Sequence, residues 1–260
     1  MRRSPLRQLT LLLLATVSVA ACGKKEKAAT PVPSAIVEVA APAPTAGSRR
    51  ARCSRPRARL NPETQTSYDI WIDQYDRAAR ASAFRRQQYI FTQMQGPQAF
   101  LPQFLIAFHK VEDGADMDAY VARIGEVARG VDQLLERARR GAAEGVRPPL
   151  FAYEGVIQQA RAVITGAPFG GAGDSPVWAD VNSEIDTLLK DGKIDAAKAD
   201  QLRSGARTAL VEKFGPSYQR LVAWLEADKA NADKIATGVW KLPRGREFYA
   251  ERLANATTTT

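Results

Sequence analysis

The amino-acid sequence predicts an all-α fold, a multi-helix array, over residues 61–260. Three observations carry this. Apolar residues recur at helical spacing through most of the region. Helix starts are marked by Asn61-Pro62-Glu63, Pro148-Pro149 and Ser175-Pro176, and stops by Gly141 or Gly145, Gly166 and Gly192. One apolar stripe, from Met117 to Ala138, keeps its register for about six turns.

In chain order, the first helix opens at Asn61, with Pro62 at its first position and Glu63 in its first turn. Tyr68, Trp71, Ile72, Tyr75 and Ala79 form its inner face, and the spacing carries it into the early nineties. Asp69, Asp73, Asp76, Arg77 and Arg80 form a solvated face, with Asp73–Arg77 and Asp76–Arg80 at pairing distance along a helix.

Gly96 to Val111 follows, apolar and interrupted by Pro97 and Pro102. The prolines argue against one continuous helix, and the large apolar groups argue for a buried segment crossing the centre of the body. It holds the sole histidine, His109, expected as a hydrogen-bonded core residue.

Asp116 or Asp118 caps the next helix. Its stripe is Met117, Tyr120, Val121, Ile124, Val127, Ala128, Val131, Leu134, Leu135 and Ala138. Pro148-Pro149 opens a helix with Leu150, Tyr153, Val156, Ile157, Ala160, Val163 and Ile164 inward. The loop from Gly166 to Ser175 has four glycines, follows no strand and lacks the Lys-Ser/Thr of a phosphate-binding loop, so it reads as a flexible connection. Ser175-Pro176 caps a helix carrying Val177, Trp178, Val181, Ile185, Leu188 and Leu189. Asp195 starts a long helix that Gly215-Pro216 should kink or break before it continues to about Ala227. Gly238 to Pro243 is an extended linker placing Trp240 and Leu242 on the body. A last helix from Arg244 to Asn255 turns Phe248, Tyr249 and Leu253 inward. The closing run Thr257 to Thr260 has the look of a truncated chain.

The formal charge of +9 resides outside this array. Residues 1–59 hold 12 Lys and Arg against Glu26 and Glu38, and the remaining 201 residues are close to neutral. A nucleic-acid footprint belongs on the folded face, so no nucleic-acid partner is expected. The two cysteines, Cys22 and Cys53, lie outside the helical region and supply neither a disulfide framework nor a metal site.

Residues 1–22 read as a lipoprotein signal peptide. Arg2, Arg3 and Arg7 precede a short apolar run, Leu9 to Val19, too short to span a bilayer. Val19-Ala20-Ala21-Cys22-Gly23 resembles the bacterial lipobox, which assigns lipidation to Cys22; the plainer reading is an ordinary signal with a chance cysteine. The expected partner is the membrane, through that lipid anchor, at the bacterial cell envelope. Gly23, rather than Asp, resembles lipoproteins sent to the outer membrane, facing the periplasm. Residues 23–60 form a disordered Ala/Pro/Arg-rich tether. Six arginines between Arg49 and Arg59 fit three readings: contact with anionic lipid, a solvated linker, or an out-of-frame stretch.

Several segments together resemble the bacterial family of domains of unknown function 885. They are TSYDIW at Tyr68, MQGPQAFLPQFLIAFHKV, AYVARIGEVARGVDQLLERARRG, GVRPPLFAYEGVI, ITGAPFGGAGDSP, FGPSYQRLVAWLE and GVWKLPRGREFYAERLANATTT, in that order over residues 61–260. The resemblance implies the N-terminal half of a larger, all-helical, metallopeptidase-like domain, often lipid-anchored. It implies zinc for the full-length family, held by a His-Glu motif and further histidines, with a metal-bound water as nucleophile and the Glu as base. No residue of this chain matches that motif, so no catalytic and no metal residue is assigned, and His109 receives no ligand role. A peptide substrate is expected only if a C-terminal half completes the domain. Whether the chain is an enzyme stays open: the alternative is a membrane-tethered, non-enzymatic helical binding or scaffold module.

Overall fold

The computed structural model describes residues 57–257. The signal peptide with Cys22, Cys53, most of the tether and the last three threonines lie outside the described residues. The described chain is all-α: α1 (Pro62–Ser82), α2 (Pro97–Phe108), α3 (Gly114–Ala143), α4 (Leu150–Val163), α5 (Pro176–Lys190), α6 (Ala196–Ala209), α7 (Gly215–Asp228) and α8 (Gly245–Thr257).

The centre of the body is α3. Asp113 caps it, its carboxylate accepting from the Ala115 and Asp116 amides, one turn earlier than the aspartates expected from sequence. Met117, Tyr120, Ile124 and Val131 are fully enclosed, and Ala128 and Leu135 nearly so. They pack against α6, α7, α2 and α5, which surround α3. Helix α4 completes this layer against α7 and α2, burying Tyr153, Val156, Ile157 and Ala160.

Asp195 caps α6, its carboxylate accepting from the Lys198 amide. Between α6 and α7 the expected kink takes the form of a π turn, Leu210–Phe214, with the Gly215 amide bonded back to Leu210. The wider turn accommodates the Pro216 ring, which would press on a carbonyl one α-turn back. Gly215 is needed for space, since a Cβ there would sit 2.9 Å from the Phe169 ring. Phe169 stacks on Phe214, and Phe214 on Tyr218.

Five expectations are corrected. The Gly96–Val111 segment is a helix, α2, at the rim of the body rather than a crossing at its centre. Phe100, Phe104 and Phe108 are half or more exposed, while Gln98, Pro102 and Leu105 are buried. Pro102 is tolerated inside α2 for a tertiary reason. It offers no N–H to the Gln98 carbonyl, and the Tyr218 hydroxyl donates to that carbonyl instead, at 2.7 Å. Helix α1 ends at Ser82, well short of the nineties. Beyond it, Phe84 packs on Phe248 and Phe91 joins the central core.

The glycine-rich loop is not a loose connection. The Gly166 amide donates to Gly170 at 2.8 Å, Ala167 to Gly173 at 2.7 Å and Ser175 to Ala167 at 2.9 Å. Gly166 has φ +93°, and a Cβ there would meet the Asp174–Ser175 backbone at 2.8 Å. Ser175 holds the cap position of α5, but its buried hydroxyl makes no cap bond. At the C-terminal side, Leu242 and Phe248 are buried as expected, whereas Trp240, Tyr249 and Leu253 face solvent.

Candidate functional site

His109 terminates α2, and a polar cluster converges on it. Its Nε2 lies 3.0 Å from the Asp116 carbonyl, and its Nδ1 meets the Arg123 guanidinium of α3. Arg123 can only donate, so Nδ1 accepts and the Nε2–H tautomer serves the carbonyl. The ring meets Tyr120 edge-on at 5.1 Å. This is the hydrogen-bonded histidine expected from sequence, half-buried at the rim of the core rather than within it.

Tyr120 carries the cluster to α5. Its hydroxyl donates to Asp180 Oδ2 at 2.6 Å. Burial, with the Asp180 carboxylate beside it, raises the Tyr120 hydroxyl well above the ordinary phenol range, so it stays protonated. Glu184 lies one turn beyond Asp180. Its carboxyl is pushed up by burial and by Asp180. The cluster can therefore hold a proton on Glu184 more readily than a solvated carboxylate could. Asp180 and Glu184 were legible in sequence only as acids flanking the Val177–Val181–Ile185 stripe, and nothing in the one-dimensional pattern joined them to Tyr120 and His109.

A second buried polar knot ties the start of α4 to the end of α7. Asp228 accepts from Arg147 at 3.0 Å, from the Tyr153 hydroxyl at 2.6 Å and from Asn231 at 3.2 Å. Burial would raise its carboxyl, but these three donors outweigh it and hold it below the usual carboxylate range. The adjoining backbone bond from the Leu150 amide to the Asp233 carbonyl, at 2.9 Å, closes the same junction. With both Asp228 oxygens met by donors from Arg147, Tyr153 and Asn231, this knot is structural.

Neither cluster fits zinc. Both ring nitrogens of His109 are engaged, and among the described residues no three His, Cys, Asp or Glu side chains come together as a metal would require. No described helix is long and apolar enough to cross a membrane.

Alongside His109 runs an open groove of about 480 Å³ between α2 and α3. Leu101, Phe104, Leu105 and Phe108 form one side, and Arg123, Glu126, Val127 and Gly130 the other. Phe104 stacks on Phe108 at 5.0 Å and tilts on Phe100 at 5.6 Å, so the exposed ridge of α2 is a continuous aromatic rail.

Comparison with known proteins places this architecture. A family model described as "Bacterial protein of unknown function (DUF885)" matches residues 27–260. A search of curated proteins gives no match. Among solved structures, the crystal structure of "the putative lipoprotein from Colwellia psychrerythraea" is similar, with a TM-score of 0.58 and 17% identity. The match covers 66% of this chain and 28% of that one, and at this identity it speaks for the fold alone.

Proposed function

The chain belongs to the DUF885 family of bacterial proteins, and from that membership we propose that it is an envelope lipoprotein whose helical body serves as scaffold for a metallopeptidase-like hydrolase. Lipidation at Cys22 would hold it to the membrane, with the tether letting the body stand off the periplasmic face of the outer membrane. The similarity to "the putative lipoprotein from Colwellia psychrerythraea" supports an envelope location. The observation that carries the scaffold role is the pairing of a family match over nearly the whole chain with side chains that assemble no metal site among the described residues. The zinc chemistry that the family resemblance implies would come from residues outside these, and this chain by itself would be inactive.

Zinc titration of the purified chain, read by calorimetry, tests the scaffold role. No stoichiometric binding is expected; tight one-to-one binding would overturn it. Acyl labelling in cells tests the anchor: label is expected on the native chain and lost in Cys22→Ser, and equal labelling of both would refute lipidation at that residue.

A second reading, a tethered helical binding module without catalysis, draws on a different observation. The core running through α2 to α7 is closed on its own residues. That reading predicts a single cooperative thermal transition without binding of apolar dye, whereas a scaffold awaiting a large docked half would bind dye in its native state.

A further inference from the structure

We propose that the groove between α2 and α3 binds a single-chain hydrophobic carboxylate, of the fatty-acid class. Its acyl chain would lie along Leu101, Phe104, Leu105, Phe108 and Val127, and its carboxylate would pair with Arg123.

Charge complementarity carries the headgroup. Arg123 is exposed on the groove wall, and the partner it has is the neutral acceptor His109 Nδ1. A guanidinium has five donors, and this contact leaves several aimed away from the histidine. Three nearby carboxylates are committed elsewhere, and a fourth, Glu184, is pushed towards its neutral form by burial and by Asp180. Glu126, on the same wall, is paired with Arg129 and held below its usual range by it, with Lys213 assisting. Asp116 accepts from the Glu112 amide, and Asp180 from Tyr120.

The tail follows from what the groove lacks. Its floor and rail are side chains of two helices, with only the last carbonyls of α2, at the Phe108 end, lacking an intrahelical donor, and His109 is fully engaged. A peptide laid along the apolar track would bring more amides than those few carbonyls could serve, at a desolvation penalty for each left over. An acyl chain brings none. A volume of about 480 Å³ falls within the range of small-molecule sites. The aromatic rail Phe100–Phe104–Phe108 extends the apolar track beyond the groove.

The test is calorimetric titration of the full chain with dodecanoate below its micellar concentration. Dodecanol serves as the neutral control and acetyl-Leu-Phe with a free carboxylate as the peptide arm. One dodecanoate per chain is expected, bound at least tenfold more tightly than dodecanol. Arg123→Gln should erase that tenfold preference while leaving dodecanol binding unchanged. Phe104→Ala should weaken both ligands, and Arg161→Gln, on α4 and outside the track, should weaken neither. Circular dichroism of each variant, matching the parent, establishes that the fold persists. Equal affinity for dodecanoate and dodecanol, or a preference that survives Arg123→Gln, would overturn the headgroup assignment. Tighter binding of the peptide than of dodecanoate would overturn the acyl one.

Discussion

The stripe from Met117 to Leu135 on α3 and the stripe from Tyr68 to Ala79 on α1 are written in the same helical period, yet they meet opposite fates. On α3, four of the stripe side chains lose all contact with solvent. On α1 no residue is buried, and Trp71 and Ile70 remain about half exposed. The difference is the number of neighbours. Helix α3 is surrounded by α2, α5, α6 and α7, whereas α1 rests on α8 and on the short turn at Arg57–Arg59. Periodicity reports that a face is apolar; it does not report that a partner covers it. Helix α1 is held instead by local devices. Asn61 caps it, Arg57 pairs with Asp69, Arg77 pairs with Asp73 as the spacing predicted, and Tyr68, Trp71 and Tyr75 stack along its own surface.

The contrast can be broken most forcefully at its centre. Ile124→Ala opens a cavity on the enclosed face of α3 and should cost about 4 kcal/mol in chemical denaturation. If it costs no more than a surface change, the core assignment fails. Asp228→Asn should cost about 3 kcal/mol, because Arg147 loses its buried counter-charge and the remaining amide offers a poorer acceptor.

The pH signature of Asp228 has a defined sign. The folded carboxyl is held below its unfolded value, so its contribution is present above the unfolded value, near pH 4, and is lost as pH falls through the folded one. Asp228→Asn should therefore flatten the acid limb of the stability profile, measured by urea denaturation between pH 2 and pH 6, a window of about four units around the carboxylate range.

A smaller effect sharpens the boundary between core and rim. Tyr218→Phe leaves the Gln98 carbonyl without a donor and should cost about 2 kcal/mol. Pro102→Ala in the same background restores an N–H to that carbonyl and should recover part of the loss, a coupling read from a double-mutant cycle. Independent, additive effects would mean that the two residues do not share the carbonyl. At the far end, Trp71→Ala should change stability by less than about 0.5 kcal/mol, and α1 amides should exchange faster than those of α3. Slow exchange throughout α1 would show that the peripheral helix is as tightly held as the central one.

The candidate site was less legible than the helices, for a related reason. His109 stood out because it is the sole histidine, and its role as a satisfied, hydrogen-bonded ring was readable from its apolar context. Tyr120 was read as one more residue of an apolar stripe, since its phenol ring obeys the same period as its neighbours. Its hydroxyl matters because α5 brings Asp180 to it from 60 positions away. Arg123 offered no signal at all, being one basic residue among many on a solvated face.

Taken alone, the amino-acid order determined the helices other than α2 and most of their ends, because capping, proline position and helical period act within a few residues. Asn61 and Asp195 are caps in the sequence and caps in the fold. Family membership was likewise readable, from ordered local segments. Tertiary structure decided which apolar faces are covered, why Pro102 can sit inside a helix, and how a glycine-rich loop becomes ordered. Each of those outcomes depends on a group remote in sequence, Tyr218 for Pro102 above all. A missing hydrogen bond or an exposed face acquires its energy only when the fold supplies, or withholds, the partner.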